Sequence, residues 1–214
     1  MANRDRTETP ALWLKAVTRA EHLATEQTAL AEKMARGELS MKHFVCLLAS
    51  YESLHAGVER AAMAAGLGEL VRSPSKSGWA TRDLEALRVE VSCLPGALRQ
   101  ALAALPCAAP TRAFALGRLY VMEGSALGAV MLGPVLERTL GLTAGMAYFR
   151  GAGAETMPRW MAFRGVLDRE LAEPKDREQA RLGAVLQFER VRQIFDVIHA
   201  SAHETTLKQL VATG

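Results

Sequence analysis

The sequence predicts an all-α fold, a compact bundle of seven or eight helices, and three observations carry that expectation. Half of the 214 residues are hydrophobic and only 6% aromatic, and Ala, Leu, Arg and Glu dominate over β-branched residues, a composition that favours helix on intrinsic propensity. Apolar residues recur at three- and four-residue spacing, the period of one helical face, with no β-hairpin signal. Gly and Pro fall between those periodic segments, where helices stop and start.

Taken in order, the first helix is expected from Ala11 to about Met34, with Pro10 where a first turn tolerates it and Gly37 just past the end. Ser40 is a good N-cap for a second, strongly helical run over Phe44 to Ala65, although no Glu or Gln follows three residues later; Gly66-Leu67-Gly68 ends it. From Gly66 to Gly78 the composition turns to Gly, Ser, Pro and Lys and reads as a mobile loop. Shorter helices follow over Thr81 to Val91 and Pro95 to Ala104. Pro106 and Pro110 bracket a turn, and Thr111 caps a long helix that Gly141 ends after about Leu140. Arg150-Gly-Ala-Gly153 is a loop, Thr156 to Leu171 a helix, and Asp176 to about Leu210 a long terminal helix. Periodicity resumes after every loop, so the chain 1–214 reads as one domain.

The formal net charge is +3, with arginines scattered among acidic residues, which is not the dense basic footprint of a nucleic-acid binder. Cys46, Cys93 and Cys107 are an odd set without CxxC spacing, which suggests neither a disulfide framework nor a zinc site and fits a reducing cytoplasm. Met1 to Pro10 has no signal-peptide core, and the longest apolar run, near Gly124 to Leu136, falls short of a bilayer span. A cytoplasmic, monomeric protein with no membrane partner is expected.

Two stretches carry chemistry. On a continuous helix, Lys15 lies roughly 20° from His22 and about 10 Å along the axis, with Arg19 one turn before the histidine, so two cations flank it. Glu26, four residues beyond, can reach the second imidazole nitrogen, as the carboxylate partner of a metal-bound histidine does. A charged surface helix would carry the same residues, so the segment gains specificity from its pairing with Gly124-Ser125-Ala126-Leu127-Gly128-Ala129. Gly124 and Gly128 share a face and strip one turn of bulk; close helix packing would do the same, but so would a wall against a flat ligand. With Pro134 further on, that helix is expected to bend. An axial iron ligand facing a bulk-free helix is a seat for a flat macrocycle. Phe188 and Phe195 on the terminal helix either pack over it or belong to the core.

Other metal-capable spacings are thinner. Glu52-x-x-His55 is one half of a di-iron motif without a second copy, so a di-iron oxidase on a similar scaffold is the remote alternative. His199 and His203 are four apart with no third ligand nearby, His43 has no company, and Arg150-Gly-Ala-Gly lacks the strand that a dinucleotide loop needs.

The string Leu14-Lys-x-x-Thr-Arg-x-x-His22-x-x-x-Glu26, the turn Gly37-Glu-Leu-Ser40, Leu119-Tyr-Val-Met-Glu-Gly-Ser-Ala-Leu-Gly128, and Phe149-Arg-Gly-Ala-Gly153 followed by Trp160-x-x-Phe163 resemble, in that order along nearly the whole chain, the biliverdin-producing heme oxygenases. The bacterial type found beside bacteriophytochromes is the nearest likeness. The resemblance implies a non-covalently held heme b that is both substrate and cofactor, electrons from an external donor such as ferredoxin or a flavoprotein reductase, and biliverdin, ferrous iron and carbon monoxide as products, with a bacteriophytochrome as acceptor of the biliverdin. It implies that His22 is the proximal ligand and Glu26 its hydrogen-bonding partner. Lys15 and Arg19 then serve the propionates, joined by Arg159 or Arg164, and Tyr120 meets the heme edge. Gly124 and Gly128 match the distal glycines that tilt bound dioxygen toward a meso carbon. Ser125 stands where mammalian members have an aspartate that organises proton-delivering water, so the relay must be built differently here. The same substitution leaves a second reading open, a heme-binding protein of this fold without turnover.

Overall fold

A computed structural model describes residues 9–90, 92, 94–106 and 108–201, and among them the elements are ten α-helices and two short 3-10 turns, with no β-strand element. The helices are α1 (Pro10–Val17), α2 (Arg19–Glu26), α3 (Ala29–Ala35), α4 (Met41–Ala64), α5 (Lys76–Ala86), α6 (Gly96–Ala103), α7 (Arg112–Leu140), α8 (Ala147–Arg150), α9 (Thr156–Glu170) and α10 (Pro174–Ser201). One hydrophobic core runs through them, from Ala11 of α1 to Ile198 of α10.

The single first helix expected over Ala11 to Met34 is three helices. The Thr18 hydroxyl donates to the Leu14 carbonyl at 2.7 Å inside a buried site, a back-bond that bends helices. A second break follows at Gln27, after which Thr28 caps α3 by accepting from the Ala31 amide at 3.4 Å. Lys15 therefore lies on α1 and His22 on α2, and the uninterrupted line of cations beside the histidine is divided at Thr18.

Ser40 caps α4 as expected, and the reciprocal partner is His43: the Ser40 amide donates to its Nδ1 at 3.4 Å, closing a capping box with an imidazole in place of a carboxylate. The Gly66–Gly78 loop is shorter than the sequence suggests. A 3-10 turn forms over Gly68–Leu70, and Ser75 caps α5 by accepting from the Gly78 amide at 3.1 Å, so α5 begins at Lys76 and ends at Ala86. Thr111 caps α7, Gly141 ends it at φ +64, and α7 runs unbroken through Pro134. The terminal helix starts at Pro174; its expected end near Leu210 lies outside the described residues, as do His203, Cys93 and Cys107. Cys46 is a free, buried thiol.

Helices α7 and α10 form the main packing pair, and two glycines let their backbones touch. A Cβ on Gly117 would lie 1.8 Å from the Ala180 carbonyl oxygen, and one on Gly183 would lie 2.1 Å from that of Phe114. Close helix packing through glycine therefore occurs on α7, one and a half turns or more before the Gly124 to Gly128 stretch. Beside this contact the buried Arg118 guanidinium donates to Gln187 Oε1 at 3.1 Å and to the carbonyls of Pro106 and Ala108 at 2.9 and 3.2 Å, so its charge is met by oxygens from α10 and from the turn before α7. The 29-residue α7 is long and apolar enough to cross a membrane by length and composition. Its first half is core, packed on α10 and α4.

The start of α8 is fixed by a buried carboxylate. Asp83 on α5 accepts the Ala147 and Tyr148 amides at 2.7 and 2.8 Å. These satisfy helix N-terminal donors that no intrahelical carbonyl can reach. Burial pushes the Asp83 pKa up, and the two amide bonds oppose that shift.

Candidate active site

The α2 helix has no buried residue and packs chiefly on α10. His22 leaves it with an exposed side chain, 59% accessible, and its Nδ1 lies 3.6 Å from Glu26 Oε2, itself 62% accessible. The i, i+4 spacing thus places the carboxylate by the ring, 0.1 Å beyond a hydrogen bond's 3.5 Å reach. Phe188, buried on α10, presents its edge to the imidazole at 5.9 Å between centroids and 82° between planes. Phe195 is a core residue, edge-on to Tyr51 at 6.4 Å.

The glycines of α7 differ from each other. A Cβ on Gly124 would meet the Trp160 ring at 3.7 to 3.8 Å, so α9 covers that glycine. At Gly128 nothing lies within 4 Å, and the neighbouring Met131 is 80% exposed. The bulk-free surface is therefore the Gly128 side of the helix, where a Cβ would meet nothing within 4 Å.

Tyr120 does not stand free at an edge. Burial raises its pKa, while the nearby Thr18 hydroxyl and the Arg164 charge oppose that shift. Its ring lies 5.8 Å from Trp160. That contact sets Tyr120 of α7 against α9. Lys15 and Arg19 are exposed on either side of the α1–α2 break. Arg159 lies elsewhere, in a cleft of about 50 Å³ shared with Glu59, Lys76, Glu123 and Trp160. That volume holds a few waters and no macrocycle.

Ser125, half-buried, donates to the Met122 carbonyl at 2.8 Å. Tyr148 meets His55 Nε2 at 2.9 Å. The sequence reading missed Tyr148, and it left His55 as half of a metal motif. His55 is buried and its Nε2 is taken by Tyr148, while Glu52 accepts a hydrogen bond from the Ser53 hydroxyl at 3.1 Å. Among the described residues no three His, Cys, Asp or Glu side chains gather to hold a metal ion.

The chemistry of these residues fits a heme. An accessible imidazole with a carboxylate at one nitrogen and an aromatic edge behind it suits an axial iron ligand, and a helix face with no Cβ in the way can lie flat on a porphyrin. Exposed Lys15 and Arg19 and the half-buried Arg164 provide cations for carboxylates.

The heme oxygenase family profile matches residues 9–197. A heme oxygenase from Xanthomonas campestris pv. campestris (strain 8004) is 30% identical over 159 residues, covering 73% of this chain and 91% of that one. In fold, the chain is similar to heme oxygenase-1 of Synechocystis sp. PCC6803 in complex with heme, with a TM-score of 0.70, 13% identity and coverage of 92% and 95%. It is likewise similar to the NO- and CO-bound heme oxygenase of Neisseria meningitidis, with a TM-score of 0.65, 20% identity and coverage of 97% and 98%.

Proposed function

The chain belongs to the heme oxygenase family, and from that premise we propose that it holds heme b on His22 and opens the ring to biliverdin, ferrous iron and carbon monoxide. The observation that carries this reading is an accessible His22 with Glu26 3.6 Å from its Nδ1, and a Gly128 whose Cβ would meet nothing within 4 Å fits a ligand wall. When bound, heme supplies both the iron that activates dioxygen and the ring that is cleaved.

The chain's residues do the placing. His22 ligates through the nitrogen that Glu26 leaves free, and Glu26 and the Phe188 edge hold the ring's orientation. Lys15, Arg19 and Arg164 attract the propionates, which fixes the rotation of the macrocycle about its normal and so decides which meso edge faces the reacting oxygen. Gly128 lets the α7 backbone close over the other face; Gly124 contributes through its seat on Trp160. Ser125 is the polar group of that wall. Electrons come from an external donor, a ferredoxin or a flavoprotein reductase. The setting is a cytoplasmic monomer forming one domain, with a bacteriophytochrome as acceptor of the biliverdin.

Hemin titration followed by reduction with ascorbate or a ferredoxin system tests this. Loss of the Soret band with rising biliverdin absorption is the expected result. A Soret band that persists through reduction in air refutes turnover and supports the second reading, a heme-binding protein without catalysis, which Ser125 in place of an acid favours.

A further inference from the structure

We propose that the cleft between the start of α5, α7 and α9 is a second binding site, independent of heme, in which Arg72 and Arg159 hold a phosphate-sized oxyanion. Two small cavities meet there, one of about 50 Å³ and one of about 60 Å³. Arg72, Arg159 and Glu123 line both, so the two guanidinium groups stand where the cavities join.

The site lies away from the proposed heme wall. Leu119, Glu123 and Ala126 line the cleft at i, i+4 and i+7, one face of α7. Gly128, two residues beyond Ala126, is about 160° around the helix from it. Heme at Gly128 and an anion in the cleft therefore use opposite sides of α7.

Charge counting selects an anion. Three cations, Arg72, Lys76 and Arg159, and two acids, Glu59 and Glu123, line the first cavity. Both acids are already engaged. Glu59 accepts from the Ser77 amide at 3.2 Å and from the Ser77 hydroxyl, and Glu123 is paired with Lys76. Among the described residues neither Arg72 nor Arg159 forms a hydrogen bond or an ion pair. Two positive charges, one of them on a half-buried side chain, thus share one space without a counter-charge, and an anion between them turns repulsion into attraction. Thr156 adds a spare donor in the same wall, because its Oγ1 is buried without a hydrogen-bond partner among the described residues.

Size and shape narrow the ligand. At about 10 to 15 Å³ per water, the first cavity holds roughly three to five water-sized atoms, and phosphate has five heavy atoms. A guanidinium is a planar fork that meets phosphate oxygens in bidentate fashion, and two forks complement a dianion. The second cavity, lined by Phe163 and Val166, leaves an apolar space beside the anion for a small ester group. The ligand is therefore inorganic phosphate or the phosphoryl group of a small molecule.

Titration of the heme-free protein with sodium phosphate at constant ionic strength tests the site by tryptophan emission, since Trp79 and Trp160 both line the cleft. Saturable binding with a Kd below about 10 mM is expected, together with a rise in Tm; sodium chloride should give neither. Methyl phosphate separates the two sources: tighter binding than inorganic phosphate assigns the second cavity to an ester group, and weaker binding assigns the site to the free ion. Arg72→Gln and Arg159→Gln should each weaken phosphate binding about tenfold or more, the scale of one charge-assisted contact. Arg72→Gln should leave hemin affinity unchanged. Neither arginine has a partner to lose, so both variants should melt within about 2 °C of wild type; a larger fall shows that the fold itself engages the arginine and overturns the charge argument. No saturation by about 10 mM, an equal response to chloride, or wild-type affinity in both variants overturns the site. Loss of phosphate binding once hemin is bound also overturns it, because the cleft then belongs to the heme seat. If phosphate binds and hemin does not, the proposed function falls and this site stands.

Discussion

Replacing Gly128 by alanine should strengthen the heme-free protein while weakening its hold on heme. In a helix interior glycine costs about 0.8 to 1.0 kcal/mol relative to alanine, and a Cβ at position 128 meets nothing within 4 Å, so the propensity gain is undiminished. For a chain of this size about 1 kcal/mol corresponds to roughly 2 to 4 °C in Tm, and a rise in that range is expected by calorimetry without heme. Gly117→Ala is the control. Its Cβ would sit 1.8 Å from the Ala180 oxygen, against a normal contact of about 3.5 Å, so α7 and α10 must part by more than an ångström. Overpacking of this kind costs about 1 to 3 kcal/mol, which exceeds the propensity gain and lowers Tm. The same methyl at position 128 stands where the porphyrin would lie, and a comparable overpacking cost predicts hemin binding about tenfold weaker or more. If Gly128→Ala melts lower than wild type, the surface is not open. If it binds hemin unchanged, Gly128 is not part of the wall.

Three further outcomes follow from the geometry. His22→Ala should abolish the histidine-ligated ferric spectrum and most turnover, and an unchanged spectrum would remove His22 as the ligand. Asp83→Asn puts an amide N–H where one of two α8 amides now finds an acceptor, so denaturant unfolding should show a loss of about 1 to 3 kcal/mol; a loss below 0.5 kcal/mol, on the scale of an ordinary surface substitution, would mean α8 is fixed by other contacts. His55 is neutral in the fold with its pKa lowered, so its contribution is complete above the unfolded value near 6.5 and is lost as pH falls below it. Its share of the slope is at most about 1.4 kcal/mol per pH unit, and it should vanish in His55→Gln when unfolding is followed between pH 7 and 5. Equal slopes for the two proteins would show that His55 is protonated in the native state.

What the sequence carried openly was what neighbours in the chain decide. The caps at Ser40 and Thr111, the stop at Gly141 and the His22–Glu26 spacing each depend on residues within one turn, and all stand where the pattern puts them. The break at Thr18 does not, because the same threonine in an exposed helix could turn its hydroxyl to solvent; burial holds it on the Leu14 carbonyl. The Ser75 cap is embedded in a Ser-Pro-Ser-Lys-Ser-Gly run whose composition spoke for loop. Glycine is the clearest case. Gly117, Gly124, Gly128 and Gly183 look alike in a helical pattern, yet they meet a carbonyl, a tryptophan ring, open space and a second carbonyl, and only the partner distinguishes them. Tyr148 and His55 lay beyond any local rule, since their meeting depends on Asp83 placing a third helix.

The two helices proposed to hold heme, α2 and α7, both pack on α10. His22 leans on Phe188 and α2 packs chiefly on that helix, while α7 is locked to it through Gly117 and Gly183. They would therefore behave like the jaws of a caliper, with their spacing set by the beam behind rather than by anything the jaws grip. A slip of α10 by a fraction of a turn would alter iron placement and ceiling height together, even where no residue that touches the macrocycle has been changed.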